Sequence, residues 1–349
     1  NRVFALLAGL FLAVEGQSIV LSRTSILDGI LAFFVLLAFY FLLLDRRDIS
    51  KVLNGAALAK RDFTLSLRPW LWAMALALGL ASGVKWSGLY FLAIFGLYTF
   101  FADWITRQRL GLKLLPAVLQ AALNALVMLL ISAATYLASW SGWILSSGGW
   151  GRAANENWLV ALWDYHTNAY SFHTGLSAEH PYSANAWQWL LSYRPTAFYY
   201  ESFSDQRCGL IETCSIAITP IPHPLIWYSA VAAMIWVGHR FVRKADLAAG
   251  AIFLAFLAGW APWLAYLSRT TFQFYAVAFT PFLILALAYA LHRFWRRGFL
   301  LLRVSQREWA IALFVLVALA LAAFFASLWM GLPVPYWFWR IQMWLPSWI

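Results

Sequence analysis

The chain has 349 residues, 63% of them hydrophobic and 11% charged, with a formal net charge of +11. Apolar runs of bilayer-spanning length recur too often for one buried core, which excludes an ordinary soluble domain. The runs do not alternate as β-barrel strands would, which leaves an all-α polytopic membrane protein whose helices satisfy their own backbone in lipid.

Nine spans are predicted, at 3–20, 24–44, 70–84, 87–101, 115–138, 222–238, 247–266, 272–291 and 309–330. The chain opens on Asn1, without Met, and runs straight into the first span, so it reads as a piece of a longer protein. Arg23 opens the second span in VLSRTSILDGIL; Asp28, five residues on, falls on a different helical face. Ionisable groups inside a span default to function. Arg23 is an anion site or an interfacial arginine. Asp28 either orients its surroundings or is a buried aspartate bonded to Thr24 or a neighbouring helix.

The third and fourth spans are short for a full crossing, so they are tilted or are broken helices meeting around Gly83, Lys85 and Gly88. Lys85, in GLASGVKWSGLYF, has small neighbours that let a backbone or a ligand approach closely. It either snorkels to the interface or joins Arg23 in holding a phosphate at the membrane edge.

The fifth span leads into a long polar loop, 141–224, with four of the six histidines and both cysteines. Within it, WLVALWDYHTNAYSFH puts Leu159, Leu162, Trp163, His166, Tyr170 and His173 on one face of an interfacial helix. HPYSANAWQW and YRPTAFYY read as turns and short extended pieces. No HExxH or comparable cluster is present, so no metal site is expected. His173, His180, Tyr182 and Arg194 suit hydrogen bonding to a sugar or phosphate, or else a loop satisfying its own polar groups. Six carboxylates lie on the loop's side, and none sits in a signature that marks it as a general base.

Basic residues are asymmetric: 18 of the 25 fall in one set of loops, which the positive-inside rule assigns to the cytoplasm. The long loop and the C-terminus then face outward. The net charge reflects topology and contact with anionic membrane lipids, and no nucleic-acid partner is implied. Cys208 and Cys214, in CGLIETC, would lie in an oxidising compartment, where they form a disulfide or remain two unrelated thiols. The closing MGLPVPYWFWRIQMWLPSWI is an aromatic belt expected to pack at the outer surface. The chain thus divides into an N-terminal membrane block (1–140), the outward loop (141–224) and a C-terminal four-span block (225–349).

The stretches SIVLSRTSILDGILAFFVLLAFYFLLLDRR, GLASGVKWSGLYFL, YLASWSGWILS, YHTNAYSFHTGLSAEHPYSANAWQWLLSYRP, RTTFQFYAVAFTPF and MWLPSWI resemble protein O-mannosyltransferases, the dolichyl-phosphate-mannose-protein mannosyltransferase family. The resemblance implies a GT-C type membrane glycosyltransferase that moves mannose from a polyprenyl-phosphate-mannose donor to Ser or Thr hydroxyls of exported proteins. The lipid-linked sugar is then a co-substrate, and no cofactor is expected. Arg23 and Lys85 lie in matching segments and suit stabilisation of the departing phosphate. Family members have eleven spans and a cytoplasmic start; nine spans equal that pattern without the first two. The family's acidic base lies in the first outward loop, which would precede Asn1, so no residue here inherits it and the fragment alone is expected to be inactive. Eukaryotic members insert a β-trefoil in the long loop, and the shorter loop here implies the bacterial type at the plasma membrane. Glu15 and Gln17, in AVEGQSIV, depart from the family and receive no role. Alternatives are a related enzyme with a lipid or glycan acceptor, or a non-catalytic lipid-binding or transport protein.

Overall fold

A computed structural model describes residues 2–61, 63, 65–204, 213–297 and 303–349. Among the described residues, six helices are long and apolar enough to cross a membrane, and two shorter apolar helices, Arg2–Ala13 and Pro69–Val84, accompany them. The chain divides into two compact units, Ile30–Ala178 on the one hand and Asn1–Gly29 with Glu179–Ile349 on the other. The 178/179 boundary falls inside the loop of 141–224.

The Ile30–Ala178 unit begins within α3 (Asp28–Leu58), a 31-residue helix that outruns its predicted span because DRRDISKVLNGAAL keeps an apolar stripe at helical period. Its last turns bury Ile49, Leu53 and Ala56, spaced by helical period, against Leu112. α4 (Pro69–Val84) starts with proline in its first turn, where the missing N–H costs nothing. It packs on α5 (Gly88–Arg109) and α6 (Leu115–Ser139). Small residues make the contact close: a Cβ on Gly79 would lie 2.8 Å from the Ser132 carbonyl oxygen, and Ser132 donates to the Ala75 carbonyl at 2.8 Å. Arg68, only 4% exposed, is held by both Asp45 and Asp103, and Asp103 also takes Arg46. After a short α7 (Ser141–Leu145), Asn157 caps α8 (Trp158–Gly175) by accepting from the Leu159 N–H.

In the other unit the segment read as one span, 3–20, is broken into α1 (Arg2–Ala13) and α2 (Gly16–Leu21). Glu15 causes the break, because its carboxylate accepts from the Ser18 N–H at 2.7 Å and caps α2. α9 (Ala186–Leu190) lies in a stretch expected to be turns and extended chain; Asn185 and Gln188 form a reciprocal capping box around it. β1 (Tyr199–Phe203) pairs antiparallel with β2 (Cys214–Ile218). Cys214 is buried and is not a free thiol, whereas Cys208 lies outside the described residues.

α10 (Pro224–Lys244), α11 (Leu247–Trp260) and α12 (Thr280–Arg297) pack side by side. The span read as 272–291 starts as a helix only at Thr280, since Gln273–Ala278 is a 3-10 segment and Pro281 suits a first turn. α11 likewise gives way to a 3-10 turn at Ala261–Ala265, which contains Pro262. α13 (Val304–Met330) ends at Gly331 in the left-handed conformation, φ 68°. β3 (Val334–Pro335) then completes the sheet in the order β1-β2-β3, and α14 (Tyr336–Gln342) follows. The closing aromatics fold back: Val20, Ile221, Phe325, Trp329, Trp339 and Trp348 share one buried cluster.

Candidate active site

The Ile30–Ala178 unit builds its site at the break between α4 and α5. Lys85 leaves the helix in an extended conformation, φ −156° and ψ 133°, with its N–H still on the Ala81 carbonyl. Its own carbonyl accepts from the Gly88 N–H at 2.9 Å, so Lys85, Trp86 and Ser87 form a tight turn. Glycine is required there: a Cβ on Gly88 would lie 2.6 Å from the Ser82 nitrogen. The small neighbours of Lys85 therefore serve backbone approach, and Lys85 itself is half-buried.

Next to this turn is a cavity of about 550 Å³, lined by α4, α5, α6 and α8. That volume lies within the range of pockets that enclose small ligands. Leu89, Leu92, Leu129 and Ala133 make it apolar, and Trp163 and Tyr170 form its α8 wall. Its polar groups form a chain. The Trp86 indole N–H donates to the Tyr136 hydroxyl at 3.0 Å, and that hydroxyl lies 2.5 Å from His166 Nε2. His166 Nδ1 is 2.7 Å from the Leu162 carbonyl oxygen. A carbonyl only accepts, so Nδ1 carries a hydrogen, and in the neutral ring Nε2 then accepts from the Tyr136 hydroxyl. The His166 ring also stacks on Trp86, with centroids 5.6 Å apart. His173, in the last turn of α8, is exposed.

The other unit holds the remaining sequence candidates. Arg23 is exposed in the turn after α2, outside any helix, because α3 starts only at Asp28. Its N–H bonds the Val20 carbonyl, and Val20 sits in the aromatic cluster, so the turn stands on a rigid base. Asp28 is buried at the start of α3.

His180, Tyr182 and Arg194 do come together. His180 Nδ1 accepts from the Tyr182 N–H at 3.1 Å, and the Arg194 guanidinium lies over the Tyr182 ring, 4.9 Å from its centroid. Arg194 also donates to the carbonyls of Pro181 and Ser347, at 3.0 and 2.6 Å. Those donors fasten the 181–183 turn to the closing segment. Beside them, Glu179, His180, Pro181 and Ser183 line a polar cleft of about 550 Å³.

Two groups escaped the sequence reading. Trp86 and Tyr136 lie fifty residues apart, and no motif links them to His166. Glu15 and Gln17 are fully buried: Glu15 also accepts from the His223 N–H, and Gln17 bridges the Gln273 carbonyl and the Thr280 hydroxyl. Among the described residues, no group of three or more His, Cys, Asp or Glu side chains is gathered as for a metal ion.

Residues 1–141 match the family model "Dolichyl-phosphate-mannose-protein mannosyltransferase". The polyprenol-phosphate-mannose-protein mannosyltransferase of Mycolicibacterium smegmatis is 31% identical across 98% of this chain and 71% of its own length. The chain belongs to the protein mannosyltransferase family. Similarly named proteins of Corynebacterium glutamicum and Mycobacterium tuberculosis are each 30% identical, covering 100% and 98% of this chain and 72% and 70% of their own. The fold is also that of the Saccharomyces cerevisiae Pmt1-Pmt2 protein O-mannosyltransferase, whose solved structure carries the sugar donor; the TM-score is 0.78 over 100% of this chain and 77% of that one, at 13% identity. This mannosyltransferase is thus a multi-pass, mostly helical membrane enzyme.

Proposed function

We infer that this mannosyltransferase takes mannose from a polyprenyl-phosphate-mannose donor and attaches it to Ser or Thr hydroxyls of exported proteins. The observation that carries this reading is identity of 30–31% across nearly the whole chain with bacterial enzymes whose names state that donor and a protein acceptor. The chemistry asks for a base at the acceptor hydroxyl and for cations where negative charge grows on the departing phosphate. Lys85, at a helix break beside an apolar cavity, suits an anion that carries a greasy chain. Arg23, on a firmly seated turn, suits the same task. Asp28 is assigned a supporting role, and His173, His180, Tyr182 and Arg194 are assigned to the substrate side.

The enzyme is assigned to the plasma membrane, with the basic loops cytoplasmic and the loop of 141–224 outside. Basic-residue asymmetry supports that orientation.

The test uses the native full-length enzyme in membranes, radiolabelled polyprenyl-phosphate mannose and a Ser/Thr-rich peptide. Label is expected in the peptide, and Arg23→Ala and Lys85→Ala should each lower transfer by about 10²-fold. Label confined to lipid or glycan would overturn the protein acceptor. Wild-type turnover in either variant would remove that residue from the phosphate site.

A further inference from the structure

We infer that His166 is a positioning residue for the donor half of the reaction: through Tyr136 it holds Trp86, and with Trp86 the turn that carries Lys85. The inference rests on the assignment of Lys85 to the donor phosphate. Lys85 occupies an extended peptide between two helices, not a helical turn, so neither α4 nor α5 alone fixes it. On one side Gly88 fastens the turn to α4 through backbone contact. On the other, the side chain that follows Lys85 is tied twice, by its indole N–H to Tyr136 and by its face to the His166 ring.

The chain of donors runs in one direction, from Trp86 through Tyr136 and His166 to the Leu162 carbonyl. In the neutral ring the hydrogen sits on Nδ1, which leaves Nε2 to accept from the Tyr136 hydroxyl. The carbonyl at the end belongs to the same helix, four residues back, and it selects that tautomer. Hydrogen bonds in a half-buried, largely apolar cavity are strong and costly to leave unmade, so this chain locks rotamers that would otherwise be free. The signal is geometric and spans two helices, α6 and α8, and the α4–α5 turn.

The test measures donor and acceptor kinetics separately in the full-length enzyme, alongside thermal stability. Tyr136→Phe removes the hydroxyl but keeps the ring, and His166→Leu removes the acceptor. Each should raise the donor KM, or lower donor kcat/KM, by about tenfold with the acceptor-peptide KM unchanged. The double variant should be no worse than either single one, because both cut the same chain. His166→Gln, whose amide oxygen can stand in for Nε2, should recover most of the loss.

Unchanged donor kinetics in both single variants would overturn the inference. So would losses that add in the double variant, that follow melting temperature, or that fall on the acceptor KM. Lys85→Ala is measured in parallel. If it is wild-type, the phosphate assignment and the inference fall together; if it is impaired while Tyr136→Phe and His166→Leu are not, the inference alone falls.

Discussion

Tyr136 and His166 stand 30 residues apart in the chain, yet the phenol oxygen of one lies 2.5 Å from Nε2 of the other. The contact joins α6, long and apolar enough to cross a membrane, to α8, which belongs to the polar loop. A loop helix with His, Tyr and Trp side chains is thereby turned from a surface decoration into one wall of a cavity.

Glycine at 88 is a steric requirement. A Cβ there would meet the Ser82 nitrogen at 2.6 Å and the Ala81 carbonyl carbon at 2.8 Å, and backbone cannot step aside. Gly88→Ala should cost about 1–3 kcal/mol and reduce mannose transfer. Gly9, in α1, has nothing within 4 Å of its added Cβ, so Gly9→Ala should be neutral or stabilise by roughly 0.5–1 kcal/mol. Melting curves of the purified variants in detergent decide the contrast; equal shifts would refute it.

Removing Arg68 would strand buried Asp45 and leave buried Asp103 to Arg46 alone. Its guanidinium serves Asp45 through Nε at 2.9 Å and a second nitrogen, and it reaches Asp103 as well. Arg68→Ala should destabilise by about 3–5 kcal/mol, since breaking a buried pair leaves uncompensated charge. Arg68→Lys should recover part of this, because an ammonium cannot make the two-pronged contact. Thermal unfolding of the three proteins is the measurement, and a wild-type Arg68→Ala would sink the account.

Asp246, between α10 and α11, predicts an acid-side stability loss. Burial alone would raise its carboxyl, but the Tyr289 hydroxyl at 2.6 Å, Arg240 at 2.8 Å and the Ala249 N–H outweigh it and bring the pKa down to about 2. Arg293 also reaches it, at 3.1 Å. A depressed carboxylate stabilises fully above its unfolded value of about 3.9, and the contribution fades as pH falls through the folded value. Asp246→Asn should therefore be less stable than wild type at pH 6, by about 2 kcal/mol. The gap should narrow between pH 4 and 2. A gap that does not depend on pH would disprove the linkage.

Arg194 should act as a clasp. Arg194→Ala removes its bonds to Pro181 and Ser347 and its contact with Tyr182. Faster hydrogen exchange is expected at 182–183 and 347–349, with the α4–α5 turn unaffected. Unchanged exchange in both segments would leave the clasp without support.

What the sequence reveals here is local. The break at Lys85 was legible because glycines on both sides punctuate an apolar run, and α8 because its apolar residues recur at helical period. Arg194 and His180 were marked by residue type, and the Arg194 bonds to backbone carbonyls match the alternative of a loop satisfying its own polar groups. Glu15 and Asn185 act as caps, which a hydropathy window averages away, so one span was read through a break and α9 was missed. The ring of Tyr136 could be assigned a partner only after α6 and α8 were placed together. Contacts of that kind depend on tertiary packing, and no spacing along the chain encodes them.

The carboxylate of Glu15 has a partner that is made late. The His223 N–H that bonds it lies 208 residues downstream. At roughly 5–20 residues per second, a ribosome needs about 10–40 s to cover that stretch. Throughout this interval the acidic group between α1 and α2 lacks its final hydrogen-bond donor, and a buried polar group left unsatisfied is costly. Settling of these helices is therefore coupled to the birth of α10.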